Sequence, residues 1–313
     1  MCLNSKFQPI ILVCAADNNY AMPLAVTVRS ALANLKSHRK IALFILDGGI
    51  SKSNKNKITK SLQSEKLDIS WIQVDETQLK NPVLTRHITV ASYYRLLITE
   101  FLPPEFDKAI YLDTDMVVKG NLEELWNIPL EDNYLLAVQD DVQLYISMCD
   151  GLRKDYNLGS VSDYKYFNAG LLVINLEKWR KENIGVKVIE YIEQNRKDLI
   201  NDQDGLNAIL AGKWGEIHPR WNQMPRIYDY SSWQESPHPE DIYKELLHKP
   251  CIIHFTNSPK PWYAGLKAEC KHPKKNLFFQ YLDMTDWSGW RDTLWRRLVR
   301  KFTKVTSLTT SKL

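Results

Sequence analysis

An α/β protein with a mostly parallel sheet flanked by helices is the fold this sequence predicts, on three observations. Short apolar, β-branched runs at Ile10–Cys14, Ile41–Leu46 and Ile69–Val74 each precede polar or helix-like sequence. Strands separated by helices favour a parallel sheet buried on both faces. The chain has 313 residues and 44% hydrophobic content, enough for a sizeable core.

Taken in order, Ile10–Cys14 is the first strand, and Tyr20–Leu35 has the length and periodicity of a helix, with Pro23 tolerable in its first turn. Ile41–Leu46 is the second strand, and Ser51 opens a helix to Leu62 as an N-cap. After the Ile69–Val74 strand, Ala109–Leu112 is a buried strand ending in Asp113-Thr114-Asp115. Leu135–Val138, Leu171–Ile174 and Cys251–His254 are further strands, so Cys14 and Cys251 are expected within strands. Ile184–Gln194 and Gln203–Leu210 are helices, and Pro-rich Trp221–Pro239 is a loop suited to the rim of a cleft.

Asp113 and Asp115 carry the most chemical information. Alternate residues of an extended chain point to one side, so both carboxylates can serve one cation. Hard divalent ions take oxygen ligands and often share them with substrate phosphates, which suggests a bound diphosphate. In parallel sheets, ligands bind beyond the carboxyl ends of strands, where 15–19 and 113–115 both fall.

Other segments follow in a set order: VCAADNNY (13–20), RHITVASYYRL (86–96), YFNAGLLVINLE (166–177), NDQDGL (201–206) and CIIHFTNSPKPW (251–262). With FDKAIYLDTDMVVK (106–119), they make residues 9–265 resemble the family 8 glycosyltransferases, retaining enzymes that include bacterial lipo-oligosaccharide galactosyltransferases and glycogenin. The resemblance implies a GT-A fold, a Rossmann-like mostly parallel sheet. It also implies transfer of a hexose, galactose or glucose, from a UDP-sugar to a glycan or a lipid-linked sugar, as in lipopolysaccharide biosynthesis.

The resemblance assigns roles residue by residue. Asp113, Asp115 and His254 become the metal set, and imidazole beside carboxylates suits Mn²⁺ better than Mg²⁺. Ala15, Asp17 and Asn19 match the uridine loop. Arg95, Thr114, Asp140, Asn168 and Asp202 match donor-binding positions, with Asn168 placed just before its strand and Asp140 just after its own. Lys260, held between Pro259 and Pro261, is expected on the diphosphate, and His87 matches a position tied to the acceptor. Gln203 and Asp202 are the expected catalytic pair, with Gln203 near the anomeric carbon. An amide is a poor nucleophile, so front-face attack is favoured over double displacement without being settled. Thr256, Asn257 and Ser258 depart from the small residues usual before the lysine.

Two other functions fit parts of the chain. DTDMV also matches the D-x-D-x-[VT] signature of haloacid-dehalogenase phosphatases, but that motif normally closes the first strand, and in this chain three candidate strands precede it. A non-catalytic nucleotide-sugar scaffold would not require all of Asp113, Asp115, His254, Lys260, Asp202 and Gln203.

The net charge of +4 is unevenly placed. Residues 287–304 hold six basic side chains against Asp292, leaving −1 for the remainder, so the bulk of the protein lacks the field that nucleic acid requires. Trp287, Trp290, Leu294, Leu298, Phe302 and Val305 recur at helical spacing among those charges, the pattern of an interfacial helix facing anionic lipid. The expectation is a catalytic domain over 1–265 and a membrane-associating basic segment over 266–313. Five scattered cysteines without a C-x-x-C pair predict free thiols. With neither a signal-peptide pattern nor a long apolar run, the expected location is cytoplasmic, peripherally on the inner face of the membrane.

Overall fold

The computed structural model describes residues 8–74, 90–153, 164–198, 201–263 and 270–290. β1 (Ile10–Asp17) is buried along almost its whole length, as a central strand covered on both faces must be. Asp17 closes it and accepts from the backbone N–H of Asn19 and Tyr20, at 2.8 and 3.0 Å, turning the chain into α1 (Ala21–Asn34). β2 (Ile41–Gly48) leads to α2 (Lys52–Ser61), where Ser51 caps Asn54 N as expected, and β3 (Leu67–Gln73) is a half-exposed edge strand.

Next come α3 (Val90–Tyr93), a 3-10 turn over Tyr94–Leu97 and α4 (Ile98–Phe101). β4 (Lys108–Leu112), β5 (Met116–Val118), α5 (Leu122–Trp126), β6 (Leu135–Gln139), α6 (Asp150–Arg153) and β7 (Phe167–Asn175) follow. The remainder is α7 (Leu176–Glu182), α8 (Ile184–Gln194), α9 (Asp202–Ile209), β8 (Gly215–Glu216), α10 (Glu240–His248), β9 (Ile252–His254) and α11 (Lys275–Leu282).

Seven strands form one sheet in the order β3-β2-β1-β4-β7-β6-β8, in which β7 alone runs against its neighbours. The mostly parallel sheet is therefore as predicted. Two of the boundaries that differ from the sequence reading bear on the site. β7 starts at Phe167, so Asn168 and Gly170 lie inside the strand, because pairing with β6 extends it ahead of the apolar run. Cys251 precedes β9, and its carbonyl accepts from Lys119 N and Gly120 N instead of joining the ladder.

After β4 the chain leaves the main sheet through Asp113-Thr114-Asp115 and enters a second sheet of β5 and β9, antiparallel, with Met116 opposite His254. Thr27 of α1 anchors this crossover, its hydroxyl lying 2.9 Å from Thr114 O and 2.8 Å from Met116 O. α11 covers the far side, where Phe278 and Leu282 pack with Val117, Ile253, Phe255 and Trp262 in a second apolar cluster. The four described cysteines are free.

Candidate active site

The carboxyl ends of the parallel strands surround a cavity of about 290 Å³. Its lining draws on every sequence motif: Ala15 and Asp17 from β1, Arg95 from the 3-10 turn, Asp113 to Asp115, Asn168 from β7, Asp202 and Gln203 from α9, then His254 and Lys260.

Pairing of β5 with β9 brings His254 to the carboxylates 139 and 141 positions earlier in the chain. His254 Nε2 lies 3.0 Å from Asp115 Oδ1 and 3.9 Å from Asp113 Oδ2. One ligand atom from each of the three residues falls within 4.8 Å of the others. Asp115 Oδ1 is buried with His254 Nε2 facing it, an arrangement that a cation held by both atoms would satisfy. Gly170 makes the close approach possible, since a Cβ there would sit 2.3 Å from His254 Cε1 and 2.9 Å from Asp113 Oδ2. Two carboxylates and an imidazole form a donor set that fits a divalent cation.

The charges around this set are locked together. Burial would raise Asp115, but Lys260 and His254 outweigh it and hold the carboxyl far below its ordinary range. Asp113 is raised, first by burial and then by Asp115, against the opposing pull of Arg95. Lys260 Nζ donates to Asp115 Oδ2 at 2.7 Å and to the carbonyls of Phe255 and Thr256 at 2.5 and 2.9 Å. In this state the lysine expected on a diphosphate thus neutralises a carboxylate beside that position.

Arg95 is no surface charge. It is 5% exposed, bridges Asp113 at 3.0 Å and Asp202 at 2.9 Å, donates to the Ala169 carbonyl and stacks on Tyr111. The Tyr111 hydroxyl in turn donates to Asp113 Oδ1 at 3.0 Å. Asn201 caps α9 and Asp204 completes the capping box, which leaves Asp202 free to face Arg95 in the cavity. Gln203 accepts from Ala169 N at 2.9 Å and donates to Asp140 Oδ2 at 3.4 Å.

Asp140 lines the adjoining cavity and not this one, bonded to Asn168 Nδ2 at 3.0 Å, and Asn19 is absent from the lining of this cavity. Thr114 is buried with its carbonyl on Thr27. His87 lies outside the described residues. Sequence reasoning missed Tyr111 and Asn222, the latter with its Oδ1 2.9 Å from His254 Nδ1. Asn222 falls within a stretch read as a rim loop, where only the amide's full burial reveals a role. A second, more open cavity adjoins the first and shares Asn168, Asn201, Gln203 and Thr256 with it.

Known proteins bear on this geometry. Residues 11–265 match the family described as Glycosyl transferase family 8. General stress protein A of Bacillus subtilis is 33% identical over 287 residues, covering 90% of this chain and 96% of that protein. A lipopolysaccharide 1,2-glucosyltransferase of Escherichia coli is 27% identical over 91% of this chain and 80% of its own length. The crystal structure of the galactosyltransferase LgtC, in complex with donor and acceptor sugar analogs, superposes with a TM-score of 0.71 at 29% identity, covering 90% of this chain and 100% of LgtC. The sheet order, the convergent acidic site and these matches lead to one conclusion: the chain belongs to glycosyl transferase family 8 and has the GT-A fold.

Proposed function

We propose that this protein is a metal-dependent, retaining hexosyltransferase that moves galactose or glucose from a UDP-sugar to a glycan or lipid-linked sugar. The observation that carries the reading is the junction of two cavities at Asn168 and Gln203, one of them holding the Asp113, Asp115 and His254 cluster. The first cavity suits the donor and the second the acceptor, so transfer occurs where they meet. His87 is assigned to the acceptor by family position alone.

Asp113, Asp115 and His254 hold the cation, Mn²⁺ before Mg²⁺. When bound, it supplies Lewis-acid stabilisation of the departing diphosphate. Lys260, next to Asp115, adds a second positive charge at the same end, where negative charge grows as the glycosidic bond to the nucleotide breaks. Ala15, Asp17 and Asn19 belong to the uridine end, with Thr114 beside the diphosphate. Arg95 keeps the Asp202 carboxylate aimed at the sugar hydroxyls, and Asn168 and Asp140 hold the opposite side. Gln203 faces the anomeric carbon. Its Oε1 is already engaged by Ala169 N, which disfavours it further as a nucleophile and supports front-face attack assisted by the leaving phosphate.

Anomeric configuration and metal dependence test the proposal together. Asp113→Asn and Asp115→Asn should abolish transfer, since an amide keeps the shape without the anionic charge, and Gln203→Ala should lower kcat with UDP affinity nearly unchanged. Full activity in excess EDTA, or an inverted linkage seen by NMR, would refute it.

A further inference from the structure

A ligating imidazole needs one particular nitrogen turned to its cation, and the surroundings of His254 select which one. His254 Nδ1 meets Asn222 Oδ1 at 2.9 Å, and Asn222 Nδ2 donates to Asn168 Oδ1 at 2.9 Å. Asn168 Oδ1 also accepts from Gly170 N at 3.0 Å, while its Nδ2 donates to Asp140 Oδ2. Asp140 Oδ2 accepts from Gln203 as well. The series runs unbroken from a metal-set imidazole to the expected catalytic amide.

Its polarity follows from one group. A backbone N–H can only donate, so Gly170 requires the oxygen of Asn168 at that position. That oxygen in turn requires a donor from Asn222, which turns the Asn222 oxygen towards His254. The imidazole can satisfy it only with hydrogen on Nδ1, and Nε2 is then the nitrogen that faces Asp113 and Asp115. Asn222 and His254 are 1% and 3% exposed, so a reversed amide would set like groups against each other with little access to solvent to relieve them. Partners of this kind commonly orient a ligating imidazole.

We propose that Asn222 is a positioning residue that fixes the tautomer and ring direction of His254 for cation binding, and that it ties this ligand through Asn168 to Asp140 and Gln203. The proposal rests on the assignment of Asp113, Asp115 and His254 as a metal set. Asn222→Leu removes the acceptor and the donor together. Asn222→Asp keeps an acceptor for Nδ1–H but sets its second oxygen against Asn168 Oδ1, so it should spare metal binding and lower kcat.

Calorimetric titration of the full chain with Mn²⁺ alone, combined with NMR of the His254 side-chain N–H, tests this. The Leu variant should lose the protected Nδ1–H signal and bind Mn²⁺ roughly 10–100-fold more weakly, with the Asp variant close to wild type in both. Wild-type Mn²⁺ affinity in the Leu variant, or equal losses in Leu and Asp, overturns the proposal. Should Asn222→Leu fail to fold, the Asp variant decides alone, because weakened Mn²⁺ binding there contradicts the assignment. If the wild-type chain binds no Mn²⁺, the metal reading fails, and an Nδ1–H signal in the Leu variant unchanged from wild type still rejects the tautomer role.

Discussion

Arg95 sets the charge of the cavity floor by standing between two carboxylates. Burial opposes its charge, but Asp113, Tyr111 and Asp202 outweigh that and raise its pKa. Asp202 behaves differently. Burial lifts it to about 6, with Asp113 adding to the rise and Arg95 only partly offsetting it. The folded chain therefore holds this proton more tightly than the unfolded chain, whose carboxyl titrates near 4, so ionised Asp202 costs stability above pH 6 and none below about 4. Asp202→Asn should accordingly be more stable than wild type by on the order of 3 kcal/mol at neutral pH, the gain shrinking between pH 6 and about 4, while transfer activity falls. Urea unfolding across that range checks it, and a pH-independent difference would reject the buried carboxylate as the source of the gain.

At the scale of elements, the site depends on how short segments are pressed together. The 3-10 turn that presents Arg95 rests against α8, and Gly185 in the first turn of that helix makes the contact possible, because a Cβ there would sit 1.9 Å from Leu96 O. The obstacle is backbone, so it cannot swing aside. Gly185→Ala should cost about 1–3 kcal/mol and shift Arg95 away from Asp113 and Asp202. Equilibrium unfolding together with kcat/KM should therefore show both losses, although Gly185 does not line either cavity of the candidate site. An unaffected kcat/KM would mean that the turn and α8 are independent.

For the whole molecule, the chain beyond the catalytic unit proposed for 1–265 divides into a docked part and a basic part. Among the described residues no helix is long and apolar enough to cross a membrane. α11 docks on the second apolar cluster, Asn34 Nδ2 donates to the Tyr281 hydroxyl at 2.7 Å, and Asp286 N donates to Ser61 Oγ at 2.8 Å. Lys57 lies over the Trp287 ring, which packs on both apolar clusters. The proposed division at 265 is thus one of function, and 270–290 is packed onto the catalytic body. The proposed membrane-binding part is the basic stretch that continues to 304, the remainder of which lies outside the described residues. Each basic side chain near anionic lipid contributes on the order of 1 kcal/mol. Truncation after Trp290 should leave a folded enzyme that no longer sediments with anionic vesicles at low salt. Removing Trp287 as well should lower stability. Failure of the intact chain to bind such vesicles would exclude the membrane role.

Much of this was legible in the sequence because it is local. Apolar runs mark β1, β2 and β4, Ser51 marks the start of α2, and two alternating carboxylates mark the candidate cation site, since propensity, capping and strand alternation act over a few residues. Order and spacing of the motifs carried the family, and through it Arg95, Asp202, Gln203 and His254. Only the tertiary structure decided that Met116 pairs with His254, that Arg95 is buried between Asp113 and Asp202, that Lys260 neutralises Asp115, and that Asn222 stands behind the imidazole. Those facts join residues tens to more than a hundred positions apart. No short-range periodicity encodes them, because they depend on how the β5–β9 pair and the 3-10 turn are packed against the sheet, and packing is a property of the closed core.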